Sequence, residues 1–273
     1  MGFLSEVAPR YGDADHAGPR IRRLVAPNPG PMTYHGTNTW LVESDAGLVV
    51  IDPGPADDAH VAAIMAAAGG AAIARILLTH THPDHVGAAP ALSAACGAPI
   101  AGWHTPWLKS FVPDVALADG EEFGGLVAIH TPGHASDHLC FSFHDRQLFS
   151  GDHVMSWNTS IISPPDGSMA KYMDGLRLLL ERDDVVFYGG HGPVLPEPQS
   201  LLRALLIHRI SRESAIMGAL SGVAISVDAV VDQLYCDIDA RLKPAAARTV
   251  LAHLHKLMDE GKASMAGEMW RVA

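Results

Sequence analysis

The chain has 273 residues, of which 48% are apolar and 18% charged, as is usual for a globular protein with a full core. The formal net charge of −11 argues against a surface built to bind nucleic-acid backbones. Residues 200–273 hold nine basic and eight acidic side chains, so the excess of acid lies before residue 200. The three cysteines, Cys96, Cys140 and Cys236, are widely spaced and indicate no disulfide framework.

No segment of the sequence has the pattern of an export signal or a membrane span. The N-terminal segment lacks the basic region and apolar core of a signal peptide. No apolar run reaches the ~20 residues that a membrane-spanning helix needs. We therefore expect a cytoplasmic protein with no membrane partner.

Short apolar strands and helices are mixed through the first two-thirds of the chain, each bounded by turn-forming residues. The pattern predicts strands at residues 21–25, 38–43, 48–52, 73–79, 99–103, 127–131, 139–144, 147–150 and 185–188. It predicts helices at residues 56–68, 87–95 and 169–182. Strands mixed with helices favour a layered α/β or α+β architecture, which we assign to a first domain of residues 1–198.

The last part of the chain, residues 199–273, is predicted to form a second, smaller domain. Helices are expected at 201–220, 227–235 and 245–260, with Ser226 as an N-cap and Pro244 in the first turn of the third. Two short strands then pair across Gly267 as a hairpin. Three helices followed by a hairpin is the order of a winged helix.

Residues 80–85 read HTHPDH and directly follow an apolar strand. Alternation along an extended segment points His80 and His82 to the same side, and the turn at Pro83 redirects Asp84 toward a second position. Imidazole and carboxylate together are typical zinc ligands, and less specifically ligands of iron or manganese. The segment therefore predicts a metal-binding loop.

Three further ligand candidates follow in similar surroundings. They are His134 in a TPGH segment, Asp152 in SGD and His191 in GGHGP. Each lies just after an apolar strand, in a loop whose glycine permits the tight turn that aims a side chain inward. The four elements together predict one composite metal site.

These ordered motifs, over about residues 20–195, resemble those of the metallo-β-lactamase-fold superfamily. The resemblance implies a four-layer αβ/βα sandwich with the metals at one edge, between two facing sheets. It implies two zinc ions, with manganese or iron as alternatives. The first ion would be held by His80, His82 and His134. The second would be held by Asp84, His85 and His191, with Asp152 bridging the two and Asp52 buried behind the loop.

The resemblance also implies a reaction type, which is hydrolysis by a metal-activated water. A dinuclear centre lowers the pKa of water to about 7 and polarises the oxygen of the bond under attack. Asp84 would be catalytic, because it can orient the hydroxide or handle its proton. The side chains of His35, Asn38 and Ser160 are candidates for lining the substrate cleft.

The substrate class stays open between two alternatives. Residues 28–31 and 36–42 resemble the β-lactamase-like protein 2 group, whose members carry a winged-helix-like domain and include ribonucleases acting on single-stranded RNA. Glyoxalase II-like thioester hydrolases use the same complete ligand set. Asp152 argues against a true β-lactamase, where Cys or Ser is usual at that point. The partner is therefore expected to be single-stranded RNA or a small ester or thioester.

Basic residues decide how far a nucleic-acid function is supported. The two local clusters are Arg20-Ile21-Arg22-Arg23 and the segment containing Arg209 and Arg212, whose arginines we expect to be exposed on the first tail helix. A winged-helix regulator is the non-enzyme alternative. Its candidate recognition helix, 245–260, carries only two cations, so binding to duplex DNA is not expected. A homo-oligomer is left open.

Overall fold

The structure is a computed structural model that describes residues 2–220 and 223–273. A first sheet of seven strands runs in chain order, antiparallel over its first four strands and parallel over the rest. Its strands are β1 Asp15–Gly18, β2 Ile21–Val25, β3 Asn38–Ser44, β4 Gly47–Ile51, β5 Ile73–Leu77, β6 Ile100–Trp103 and β7 Val115–Leu117.

A second sheet of six strands faces the first, in the order β13-β12-β11-β10-β9-β8. Its strands are β8 Glu122–Phe123, β9 Leu126–His130, β10 Leu139–Phe143, β11 Gln147–Gly151, β12 Val186–Gly189 and β13 Leu195–Pro196. Alternation along the strands sends one set of apolar side chains from each sheet into a shared core. Trp40, Ile51 and Leu77 of the first sheet meet Phe141 and Phe149 of the second there.

Helices cover the outer faces of both sheets. The helices α1 Asp58–Ala68, α2 Pro83–Val86 and α3 Ala89–Cys96 belong to the first half, and α1 and α3 pack on the first sheet. The helices α4 Met169–Leu180 and α5 Gln199–Ala219 cover the second sheet. Helix, sheet, sheet and helix therefore make the four layers, and the mixed α/β fold predicted from the sequence is confirmed.

The remaining elements form the winged helix. They are β14 Ile225–Ser226, α6 Val227–Leu234, α7 Lys243–Asp259, β15 Ala263–Ala266 and β16 Met269–Val272. The three strands make one small sheet, and the hairpin turns at Gly267 with a φ of 61°. The core of the winged helix contains Trp270, Val250 and Leu254. The predicted order of helices and hairpin is confirmed.

Helix α5 belongs to both halves of the molecule. Its first turns place Leu202 and Leu205 in the core under the second sheet, whereas Ile216 lies in the winged-helix core. Because one helix is shared in this way, the division of the chain at residue 198 stays a prediction. Within residues 2–220 and 223–273, no helix is both long and apolar enough to cross a membrane.

The first basic cluster and Arg209 are not free patches. Arg23 is 8% exposed and pairs with Glu6 at 2.9 Å. Arg209 is 2% exposed, so the expectation that it is exposed on its helix is wrong. It is buried because that face of α5 packs on α4, where its guanidinium lies over the ring of Tyr172 and donates to the carbonyl oxygen of Ser160.

Local differences from the predicted elements have simple causes. The strand expected at 73–79 ends at Leu77, because the backbone N–H of Thr79 donates to the side chain of Asp52 instead of to a neighbouring strand. The helix expected at 87–95 is the separate helix α3, preceded by α2. Of the strands that were not predicted, β7, β8, β13 and β14 have only two or three residues, and β1 has no large apolar side chain.

Candidate metal centre

The strand ends bring all seven candidate ligands to one edge of the two facing sheets. Residues 80–85 follow β5 and enter α2, whose first residue is Pro83. His134, Asp152 and His191 follow β9, β11 and β12 of the opposite sheet. Ligands from both sheets therefore face the same space at this edge. The ligand atoms form three overlapping groups, each within 4.8 Å: His80, His82 and His134; His80, His85 and Asp152; Asp84, His85 and His191.

The first group consists of imidazoles that face one another. The Nε2 atom of His80 lies 2.9 Å from Nδ1 of His82, and Nε2 of His134 lies 3.0 Å from the same atom. Three ring nitrogens converging on one point are arranged as the ligands of a tetrahedral ion would be.

We call His80, His82 and His134 the first group and Asp84, His85 and His191 the second group, with Asp152 between them. Oδ2 of Asp84 lies 3.4 Å from Nε2 of His191 and 3.6 Å from Nε2 of His85. The Asp152 carboxylate lies 3.3 Å from Nε2 of His191, 3.6 Å from that of His85 and 3.6 Å from that of His134. Asp152 thus reaches both groups, which is the position that the bridging role requires.

Unpaired polar atoms show that these residues fit a cation. Nε2 of His85 and Oδ1 of Asp152 are buried and lack a hydrogen-bond partner among the described residues. Leaving such atoms unpaired costs about 1–3 kcal/mol each, more where a charge is involved. A divalent ion between them would satisfy both, and imidazole with carboxylate is the donor set that zinc, manganese and iron accept.

Asp52 holds the inner face of the metal loop. It is 1% exposed and accepts hydrogen bonds from the backbone N–H of Thr79 at 2.8 Å and from its hydroxyl at 2.6 Å. Its Oδ2 also lies 2.9 Å from Nδ1 of His85. Asp52 has a φ of 50°, a left-handed conformation that Asp tolerates better than most residues. Its carboxylate therefore fixes both the loop and the orientation of the His85 ring.

In His80, His134 and His191 the ring nitrogen that faces away from the centre is hydrogen-bonded to a protein oxygen, and in His82 it faces the Asp166 carboxylate. The second nitrogen of each ring is therefore left for the centre. The contacts are His80 to Thr79 Oγ1 at 3.0 Å, His134 to Ile161 O at 2.8 Å, His191 to Gly36 O at 3.2 Å and His82 to Asp166 Oδ2 at 3.3 Å.

Two supporting residues were not predicted. Asp166 follows the prolines of an ordinary loop, and nothing in its local sequence indicates contact with His82. His138 likewise has no paired context in the sequence. It is fully buried, and its Nε2 accepts a hydrogen bond from the backbone N–H of Asp152 at 3.2 Å. The antiparallel pairing of β10 with β11 places it there, because His138 directly precedes β10 and Asp152 directly follows β11.

His80 and His134 of the first group have lowered pKa values. Burial, together with the neighbouring imidazoles, holds the pKa of His80 well below its usual range and lowers that of His134 to about 4. Both rings are therefore neutral near pH 7, as metal ligands must be.

The second group is charged when it holds no cation. Burial alone would lower the pKa of His85 and His191, but the Asp84 and Asp152 carboxylates outweigh it. The pKa of His85 is raised well above its usual value, and that of His191 is raised to about 9. The same pairing holds the pKa of both carboxyls below their usual range, against the effect of burial. A cation that binds here must displace protons, so a rise in pH through this range favours binding.

The atoms packed around Gly190 leave no room for a side chain. A Cβ atom added there would collide with Oδ1 of Asp152 and lie 2.8 Å from Cε1 of His85. Glycine is therefore required by space at this position of the GGHGP segment.

We expect Gly190→Ala to displace Asp152 and weaken metal binding by about tenfold or more, because ligand geometry is lost. Metal content after dialysis and a competition titration with a chromogenic chelator would measure the effect. Gly218→Ala is the matched control, because a Cβ there meets nothing within 4 Å. Equal metal affinity in both variants would contradict the prediction.

A cleft of about 350 Å³ opens onto the centre. His82, Asp84, His134, Asp152 and His191 form its floor. Its walls are largely apolar and come from loops of both sheets: Pro31, Met32, Trp107, Met155, Trp157, Ile161, Pro164 and Pro165. The remaining lining residues are polar or charged: Thr33, Asn158, Thr159, Ser163, Asp166 and Arg248.

The three candidates for the cleft lining hold loops in place behind its walls. Asn38 donates to the carbonyl oxygens of Gly189 and Gly192, and Ser160 donates to the carbonyl oxygen of Asp152. His35 lies against the ring of Tyr34. None of the three lines the cleft among the described residues. The Asn38 amide N–H, the Ser160 hydroxyl and Nε2 of His35 are all bonded to backbone oxygens, and sequence pattern does not reveal such contacts.

Comparison with known families gives two matches. Residues 32–191 match the Metallo-beta-lactamase superfamily, and residues 226–270 match the Beta-lactamase associated winged helix domain. The first match covers more than half of the chain and contains every candidate ligand.

Individual proteins are similar over nearly the full length. A Beta-lactamase-like protein 2 homolog of Drosophila melanogaster is 31% identical over 267 residues, which is 89% of each chain. An Atrochrysone carboxyl ACP thioesterase of Cryptosporiopsis sp. is 29% identical over 93% of this chain and 84% of its own. The solved structure of a Beta-lactamase domain protein from Burkholderia ambifaria superposes with a TM-score of 0.83, covering 98% of this chain and 96% of its own, at 20% identity. That last likeness supports the fold alone.

Proposed function

Since the chain belongs to the metallo-β-lactamase superfamily of hydrolases, we propose that it is a dinuclear zinc enzyme that hydrolyses esters or thioesters of apolar acyl groups. The observation that carries the proposal is the apolar wall of the cleft directly above the metal-binding side chains. The reaction type follows from the family, and the substrate class follows from the walls.

The metal-binding side chains, Asp84 and Thr37 would have different roles in hydrolysis. Two divalent ions held here supply a water of pKa about 7 and polarise the oxygen of the bond under attack. Asp84 lines the cleft, and its low carboxyl pKa keeps it ionised, so it can orient that water by accepting a hydrogen bond. Thr37 donates to Oδ2 of Asp84 at 3.4 Å and steadies the carboxylate.

Apolar walls favour an acyl substrate. Met32 is 45% exposed and Trp107 is 38% exposed, both at the cleft. Exposed large apolar side chains around a polar floor are typical of sites that bind an apolar group and react at its polar end. The fungal relative named as a thioesterase supports the same substrate class.

Cleavage of single-stranded RNA stays a prediction. An RNA backbone needs a track of unpaired cations. Arg23 and Arg209, one from each basic cluster, are buried, and Arg20 pairs with Asp45 at 2.7 Å. Among the lining residues that the structure describes, Arg248 is the one Lys or Arg side chain. These observations favour the ester or thioester over the polyanion.

The DNA-binding regulator is not supported. Helix α7, its candidate recognition helix, packs on α4 and α5 through one face and places Ala252 in the core under the second sheet. Of its three basic side chains, Lys243 and Lys256 are in ion pairs, which leaves too few cations for phosphate contacts.

A substrate panel tests the proposal. Chelator-stripped protein would be assayed with added zinc, manganese or iron on a hexanoyl thioester, a glutathione thioester, a nitrophenyl phosphodiester, single-stranded RNA and a chromogenic cephalosporin. We expect activity only after metal is restored, and a higher kcat/KM on the two thioesters than on the phosphodiester, the RNA or the cephalosporin. Faster cleavage of RNA would overturn the substrate class, and full activity of stripped protein would overturn the metal mechanism.

A further inference from the structure

Arg248 belongs to the winged helix but lines the catalytic cleft. It is the sixth residue of α7 and is exposed, and it shares the cleft with His82, Asp84 and the other metal-binding side chains. The winged helix therefore contributes one charged side chain to a site whose other lining residues come from the first 191 residues.

The guanidinium of Arg248 has no acidic partner among the described residues. The other two cations of α7 are paired, Lys243 with Asp232 at 2.6 Å and Lys256 with Glu213 at 2.9 Å. The guanidinium of Arg248 has no hydrogen bond or ion pair with any residue of 2–220 or 223–273. A guanidinium left unpaired beside apolar walls is available to a ligand.

The helix that carries Arg248 is anchored in the core of the winged helix. The next two residues, Thr249 and Val250, are buried, and Leu254 one turn later is fully buried in the winged-helix core. A side chain on an anchored helix presents its charge at a defined place, which a side chain on a loop does not.

We propose that Arg248 is a specificity-determining residue that binds an anionic group of the substrate, a carboxylate or a phosphate, while the scissile carbonyl lies at the metal centre. The inference rests on the proposed ester or thioester hydrolysis and narrows it to acyl substrates that carry a negative charge away from the reacting bond. The guanidinium matches both anions, because its fork donates two parallel hydrogen bonds to either.

The size of the cleft agrees with this arrangement. A volume of about 350 Å³ is at the lower end of the range for small-molecule sites. One short substrate can therefore touch both the metal-binding floor and Arg248. The apolar walls of Trp107 and Trp157 would lie along its carbon chain.

Three matched thioesters separate the possible positions of the charge. The hexanoyl thioester of N-acetylcysteamine is neutral. The adipoyl thioester of the same thiol has six acyl carbons and ends in a carboxylate. The hexanoyl thioester of phosphopantetheine has a phosphate on the leaving side. Steady-state kinetics would be measured for the wild type, Arg248→Ala, Arg248→Lys and Arg248→Glu. Arg203→Ala is the control, because Arg203 is an exposed cation outside the cleft.

We expect Arg248→Ala to raise KM for one anionic thioester about tenfold, with kcat within about twofold and the neutral thioester unaffected. Arg248→Glu should raise that KM further, and Arg248→Lys should retain part of the preference. The thioester that responds tells a carboxylate on the acyl side from a phosphate on the thiol side. Equal changes for neutral and anionic thioesters, or none, would overturn the inference while hydrolysis persists. If the wild type hydrolysed none of the three thioesters, the proposed function itself would be overturned.

Discussion

Asp152→Ala is expected to abolish hydrolysis, with a loss of at least about a thousandfold in kcat, and to leave the chain folded. The Asp152 carboxylate is the one candidate ligand within 3.6 Å of imidazoles from both groups, His134 on one side and His85 and His191 on the other. Removing it would therefore take away one ligand of each ion. It would also remove the negative charge that offsets the positive charge of the two ions. Activity on the hexanoyl thioester, with metal content and thermal unfolding, would measure the outcome.

Two further variants make that measurement specific. Asp184 is also buried, at 4% exposure, but it pairs with Arg182 at 2.6 Å, away from the centre. Asp184→Ala should lower the unfolding temperature and keep the metal. Asp84 belongs to the second group only, so Asp84→Ala should abolish activity and leave about one ion per chain. Full activity and two bound ions in Asp152→Ala would contradict the dinuclear mechanism.

The ligands could be predicted from sequence because the information lies next to each of them. His134, Asp152 and His191 each follow an apolar strand and adjoin a glycine, and the ends of strands in facing sheets meet at one edge. Local pattern alone therefore indicates where each side chain points. The order of motifs along the chain then supplies the family, and with it the fold.

The supporting and substrate-facing residues could not be predicted in this way. His138 reaches the backbone of Asp152 because β10 pairs with β11 in one register. Arg209 is indistinguishable in sequence from an exposed helical arginine, and its burial follows from how α5 packs on α4. Arg248 is one of the two cations of the predicted recognition helix, 245–260. The packing of α7 places it at the cleft instead. Each case depends on contacts between elements distant in sequence.

Asp52→Ala and Asp52→Asn are expected to separate the structural role of Asp52 from its electronic one. Alanine leaves the buried N–H of Thr79 without an acceptor, which costs about 1–3 kcal/mol of unfolding free energy, and places a less tolerant residue at a φ of 50°. Asparagine keeps that acceptor and tolerates the same backbone. Thermal unfolding of the metal-free proteins should therefore show a larger loss of stability for alanine than for asparagine.

Metal affinity should fall by about tenfold to a hundredfold in both variants. The Asp52 carboxylate accepts from Nδ1 of His85 at 2.9 Å, which keeps the lone pair of Nε2 directed at the centre. An asparagine amide turned to donate to Nδ1 would favour the opposite tautomer, with the proton on Nε2, and that nitrogen could no longer bind a cation. Competition titration with a chelator would measure the affinity, and wild-type affinity in Asp52→Asn would contradict the assignment. A stable protein with weakened metal binding would show that Asp52 acts on the metal through His85, because folding alone would then be intact.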